Sequence, residues 1–68
     1  MNDKPINRIK VVLAEQQKTN KWLAEQLGVS PVTISKWCTN TTQPDLHTLT
    51  KVAKVLDVSI GVLLIDNK

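Results

Sequence analysis

Cys38 is the only thiol and His47 the only imidazole in this chain of 68 residues. A nucleophile needs a base within reach, and a metal site needs several His, Cys, Asp or Glu side chains at ligand spacing. Neither grouping occurs, and no glycine-rich loop is present to cradle a phosphate. An enzyme is therefore not expected, nor is a metal or any other cofactor. The chemistry on offer is non-covalent. In the stretch LAEQLGVSPVTISKW, residues 23–37, a helical pattern breaks at Gly28 and restarts at Ser30-Pro31. At about 100° per residue, Ile34, Trp37 and Cys38 fall on one side of the restarted helix. Val32, Lys36 and Thr39 fall on the other, flanked by Ser35 and Asn40. If Ile34 and Trp37 enter a core, a methyl-bearing side chain, a cation and a hydroxyl share one outward stripe.

The rest of the chain must hold that stripe in place. Sixty-eight residues allow one domain, 1–68 with a core at about 6–65, and a domain that small buries a modest fraction of its surface. A single cysteine rules out an internal disulfide and fits a reducing compartment. No apolar run approaches the ~20 residues that cross a bilayer, and MNDKPINRIK does not read as a secretory signal. A soluble, cytoplasmic protein with no membrane partner is the expectation. Nine Lys/Arg against six Asp/Glu give a formal charge of +3, which is compatible with a polyanionic partner without demanding one. Trp22 and Trp37 are the only aromatics, too few for the stacking platforms of a single-strand binder.

Apolar residues recur at helical spacing nearly throughout, so the chain reads as all-α with five short helices. The first spans residues 5–16, with Ile6, Ile9 and Leu13 on one face and Val12 beside them. Thr19 caps a second over residues 20–27, whose inner face is Leu23, Ala24 and Leu27. Gly28 stops it, since glycine adopts the left-handed backbone without steric cost. Ser30 supplies a capping oxygen and Pro31 a first-turn residue with no amide to satisfy, so a third helix runs from residue 31 to 38 or 39. After a polar loop at residues 39–43, Pro44-Asp45 opens a fourth through residue 56, with Leu46, Leu49, Val52, Ala53 and Leu56 inward. Val58-Ser59 precedes a last short helix at residues 60–65. None of these is long enough to be stable alone in water.

Three residues, Gly28, Val29 and Ser30, are too few for the second and third helices to run antiparallel in full contact; they suit a helix-turn-helix pair. The run TNKWLAEQLGVSPVTISKW resembles the helix-turn-helix of the lambda-repressor-like, Cro/Xre-type family of bacterial transcription regulators. Ala24, Gly28, Val29, Ile34 and Trp37 stand where that family's pattern places them. QPDLHTLTKVAKVLDVS and the terminal IGVLL are similar to its fourth and fifth helices, so the resemblance covers about residues 6–64. It implies a compact five-helix DNA-binding domain in the bacterial cytoplasm, associated with the nucleoid. It also implies phosphate contacts at the start of the second helix, here Thr19 and Asn20, and base reading from Ser30, Pro31, Val32, Thr33 and Lys36. The loop after the third helix, Thr39, Asn40 and Thr41, is implied to touch phosphate. The chain departs from the family pattern at Cys38-Thr39-Asn40, where Glu-Asn-Gly is common. It departs again at Pro31-Val32, where Gln or Arg is frequent, and at Trp22, where the family is usually polar.

Each residue also has a plainer reading. Val32 is either an ordinary exposed valine or a contact for a thymine methyl in the major groove. Lys36 is a solvated lysine, a guanine O6/N7 donor or a phosphate contact. Cys38 reads as a small buried hydrophobe beside Ile34 and Trp37, and His47 as a surface residue. Trp22 lies opposite the inner face of its helix; it packs on a neighbouring helix or long side chain, or it anchors a second subunit, DNA backbone or protein partner. Ile60, Val62, Leu63, Leu64 and Ile65 are more apolar than one short helix buries, which suggests a two-fold interface; dimers of this motif span half-sites about 34 Å apart. Two functions follow. One is sequence-specific binding of double-stranded DNA by a transcription regulator of the repressor kind, as a homodimer. The other is a helical protein-interaction module, an adaptor or antitoxin-like partner, using Trp22 and the apolar C-terminus.

Overall fold

In the computed structural model, residues 5–65 are described; the ends of the expected 1–68 domain lie outside them. Four α-helices follow one another: α1, Ile9–Glu15; α2, Asn20–Leu27; α3, Pro31–Cys38; and α4, Leu46–Leu56. A 3₁₀ turn at Ile60–Leu63 follows. Their inner faces meet in one core of Ile9, Val12, Leu13, Leu23, Ala24, Ile34, Trp37, Leu49, Val52, Ala53, Leu56 and Leu63. Fully burying an aliphatic side chain of this size is worth about 1.5–3 kcal/mol, so the shared centre holds helices that would melt alone.

The caps explain where the helices begin. Thr19, Ser30 and Asp45 each accept a hydrogen bond from the amide three residues on, at Trp22, Thr33 and Thr48. Their ends share one device. The backbone turns left-handed at Gln17 (φ 58°), Gly28 (71°), Asn40 (60°) and Asp57 (57°). In each case the next amide reaches back five residues: Lys18 to Leu13, Val29 to Ala24, Thr41 to Lys36 and Val58 to Ala53, at 2.8–3.1 Å. These bonds satisfy carbonyls the helix leaves open. Glycine occupies only one of the four positions. Gln16 Nε2 also donates to the Leu56 carbonyl at 2.7 Å, tying the end of α1 to the end of α4.

Three expectations need correction. The first helix begins at Ile9, not at residue 5, and Ile6 is exposed rather than part of its inner face. Residues 6–8 instead pair antiparallel with residues 63–65 through Arg8 N to the Leu63 carbonyl (2.8 Å) and Ile65 N to the Ile6 carbonyl (3.0 Å). Asn7 is the reason: its side chain accepts from the Ile9 amide at 3.0 Å, which starts the helix there. The expected fifth α-helix is a four-residue 3₁₀ turn, since the chain after Leu63 leaves to make that same ladder. Leu46 is 73% exposed instead of inward. It sits in the first turn of α4, and a helical side chain leans toward the N-terminus, so Leu46 overhangs the body that Leu49 and Val52 enter.

Candidate nucleic-acid interface

The turn from α2 to α3 is the part of the chain whose local signals are strongest, and it folds as those signals dictate. Gly28 is left-handed, and Ser30 Oγ accepts from the Thr33 amide at 3.2 Å and lies 3.0 Å from Thr33 Oγ1. Pro31 fills the first turn of α3. Ile34 and Trp37 are locked into the core, which leaves Pro31, Val32, Ser35 and Lys36 exposed on the opposite side. Val32 is 63% exposed, so its methyls lie outside the core.

At the start of α2, Thr19 Oγ1 accepts from the Trp22 amide at 3.0 Å. Asn20 is half-buried, and its Oδ1 accepts from Cys38 Sγ at 3.5 Å, which sets the first turn of α2 against the last turn of α3. Cys38 itself is half-buried beside the core rather than enclosed in it. Burial pushes its thiol pKa up, with the nearby Lys10 ammonium opposing that rise. Lys10, on the exposed side of α1, therefore stands near the last turn of α3, where Cys38 meets Asn20. Nothing along the sequence says which helix Lys10 faces.

The loop after α3 is closely organised. Thr39 Oγ1 donates to the carbonyls of Ser35 (3.1 Å) and Lys36 (3.2 Å) and lies 2.8 Å from Thr41 Oγ1. The Lys36 carbonyl also accepts from the amides of Thr41 and Thr42. Asn40 turns its side chain away from the stripe and toward the N-terminal segment. Its Oδ1 accepts from the amides of Ile6 (2.8 Å) and Asn7 (2.9 Å) and from Gln43 Nε2 (3.1 Å), while its Nδ2 donates to the Asn7 carbonyl at 3.3 Å.

Trp22 packs against a long side chain of its own chain. It is half-buried at the margin of the core, and Lys18 Nζ lies 4.7 Å from the ring centroid, a cation–π contact. The pair places a cation just before Asn20. His47 is exposed. Among the described residues no group of three His, Cys, Asp or Glu could hold a metal ion, and no helix is long and apolar enough to cross a membrane.

Two short helices joined by a three-residue turn, the second with one face in the core and the other in solvent, define a helix-turn-helix domain. A helix-turn-helix family model matches residues 9–63, most of the chain, and the protein belongs to that family, of the Cro/C1/Xre type whose members are DNA-binding transcription regulators. Three solved structures are similar. A Bacteroides fragilis protein described as DNA-binding is 58% identical with a TM-score of 0.87, the match covering 88% of this chain and 97% of that one. The SOS-response transcriptional repressor LexA of Eubacterium rectale is 26% identical with a TM-score of 0.78, over 90% of this chain and 65% of that one. SinR, the master regulator for biofilm formation, in complex with DNA, is 38% identical with a TM-score of 0.70, over 79% of this chain and 87% of that one. No curated protein matches the sequence.

Proposed function

We propose that the domain is a sequence-specific binder of double-stranded DNA that places α3 in the major groove and regulates transcription as a repressor. The observation that carries this reading is the stripe of Pro31, Val32, Ser35 and Lys36, held outward on a helix whose other face is locked by Ile34 and Trp37. A helix so presented fits a groove about 12 Å wide. Val32 meets a thymine methyl, and Lys36 reaches guanine O6/N7 or a phosphate. Thr19 and Asn20 at the start of α2 and Thr39 and Thr41 after α3 set the register on the phosphates, with Ser30 and Thr33 shaping the entry to α3. Lys10 and Lys18, both exposed near these elements, add cations to the phosphate-facing side.

Repression is supported by the similarity to LexA, itself described as a repressor. A homodimer is supported by Ile6, Val62 and Leu64, which remain exposed around the terminal ladder. That same apolar surface, with the half-buried Trp22 beside Lys18, is what favours the second reading, a protein-interaction module.

Selection of bound duplexes from a random library tests the proposal. Enrichment of one motif is expected, with two half-sites about 34 Å apart if the dimer forms. Val32→Ser is expected to relax the preference at one base pair. Lys36→Ala is expected to lose about 1–3 kcal/mol of discrimination at one base pair where it reads guanine, and to weaken all sequences alike where it holds phosphate. Recovery of no enriched duplex, together with capture of a single protein partner, would replace this reading with the second one.

A further inference from the structure

Asn40 occupies a position where the backbone is left-handed, and a glycine there would be the cheaper choice for the turn alone. Its side chain makes four hydrogen bonds, and three of them reach residues 33–34 positions away in sequence. All three go to the main chain of Ile6 and Asn7, the segment paired with residues 63–65. Asn7 answers from the other side: its Nδ2 donates to the Trp37 carbonyl at 3.0 Å, in the last turn of α3, and to Gln43 Oε1 at 2.7 Å. Asn7, Asn40 and Gln43 thus form a closed set of contacts around the point where α3 ends and the loop begins. None of these bonds involves Pro31, Val32, Ser35 or Lys36, the exposed stripe of α3.

We infer that Asn40 is a positioning residue, a latch that binds the loop after α3 to the terminal ladder and so holds Thr39 and Thr41 where they meet the DNA backbone. The inference rests on the DNA-binding reading, but assigns Asn40 a different task from its neighbours. Thr39 and Thr41 are exposed residues of the loop, their hydroxyls 2.8 Å apart; Asn40 fixes the loop that carries them. The latch also makes the interface sensitive to the chain ends. Whatever loosens residues 6–8 from residues 63–65 releases Ile6 and Asn7, and with them the anchor of the loop.

The test compares wild type with Asn40→Gly, which retains the left-handed backbone and deletes the side chain. Amide hydrogen exchange at Ile6 and Asn7 is read in the free protein, and affinity is read on the selected duplex. The expected result is exchange at both amides faster by tenfold or more, with α1 and α4 unaffected, and affinity reduced several-fold. Asn40→Asp keeps the acceptor for both amides and is expected to restore their protection. In the wild-type complex, Ile6 and Asn7 are expected to stay as protected as in the free protein. Loss of their protection on DNA addition would mean that Asn40 leaves the latch to contact phosphate, which overturns the inference. Full affinity in Asn40→Gly despite fast exchange overturns it too. If wild type retains no duplex, the DNA reading fails and the positioning role fails with it, while exchange in the free protein separately shows whether the latch exists.

Discussion

Replacing Asn7 with alanine should destabilise this domain more than any other polar substitution. Asn7 is the one buried polar residue among those described, 4% exposed, and all of its side-chain bonds are internal. It donates to the Trp37 carbonyl and to Gln43 Oε1, and accepts from the Ile9 amide, at 2.7–3.0 Å. Truncation removes three bonds worth about 0.5–1.5 kcal/mol each and leaves the Ile9 amide without its partner, while the Trp37 carbonyl keeps the Asn40 amide at 3.0 Å. The Ile9 amide belongs to the first turn of α1, whose cap residue Arg8 makes no side-chain cap bond, so nothing else satisfies it. A loss of roughly 2–4 kcal/mol is expected. Set against a total stability of about 3–10 kcal/mol for a chain of this length, that is a large share. Urea unfolding followed by circular dichroism measures it as a lower midpoint at unchanged slope, and the melting temperature should fall by about 10–25 °C. Asn7→Asp separates the bonds. It retains an acceptor for Ile9 but sets a carboxylate against the Trp37 carbonyl, which raises its folded-state pKa. Its destabilisation should therefore be full at neutral pH and ease as pH falls and the carboxyl protonates. A loss below about 0.5 kcal/mol in Asn7→Ala, at unchanged slope, would refute the assignment of these bonds as structural.

Three further outcomes follow from the same fold. Gln17→Gly should raise stability by about 0.5–1 kcal/mol, because Gln17 is left-handed and exposed, and glycine relieves more strain than it adds chain entropy; a lower urea midpoint would contradict this. Alkylation of Cys38 by iodoacetamide should be slower in the native protein than in urea, since burial raises the thiol pKa and limits access, and equal rates would contradict it. Asp45 caps α4 through the Thr48 amide at 2.8 Å, and that bond, followed by the Thr48 hydroxyl, lowers its carboxyl pKa. A lowered folded-state pKa means the stabilisation is complete above the unfolded value near 4 and is lost as pH falls through the folded one. Asp45→Asn keeps a capping acceptor and should flatten that acid limb of stability, measured by urea midpoints from neutral pH to about pH 2.

Local chemistry made part of this molecule legible and hid the rest. Gly28, Ser30 and Pro31 each state their role in one residue, so α2, the turn and α3 could be placed before any coordinates, and with them the outward position of Val32 and Lys36. The face of α4 from Leu49 to Leu56 was legible for the same reason, its period. The left-handed ends at Gln17, Asn40 and Asp57 were not, because Gln rarely adopts that backbone, and Asn and Asp adopt it only at some positions, so the residue type alone does not announce it.

The sequence by itself determined the helix-turn-helix, since its stops, caps and apolar stripe act over three or four residues. Only the tertiary structure decided what becomes of residues 6–8 and 63–65. Both runs have apolar residues at spacings that suit a helix, yet their backbones pair with each other across the whole length of the chain. Asn7 and Asn40 enforce that choice through partners 30–36 residues away. A pattern read along the chain is blind to bonds of that range, which is why Asn40 reads in sequence as a loop residue facing DNA and in the folded protein points to the terminal ladder.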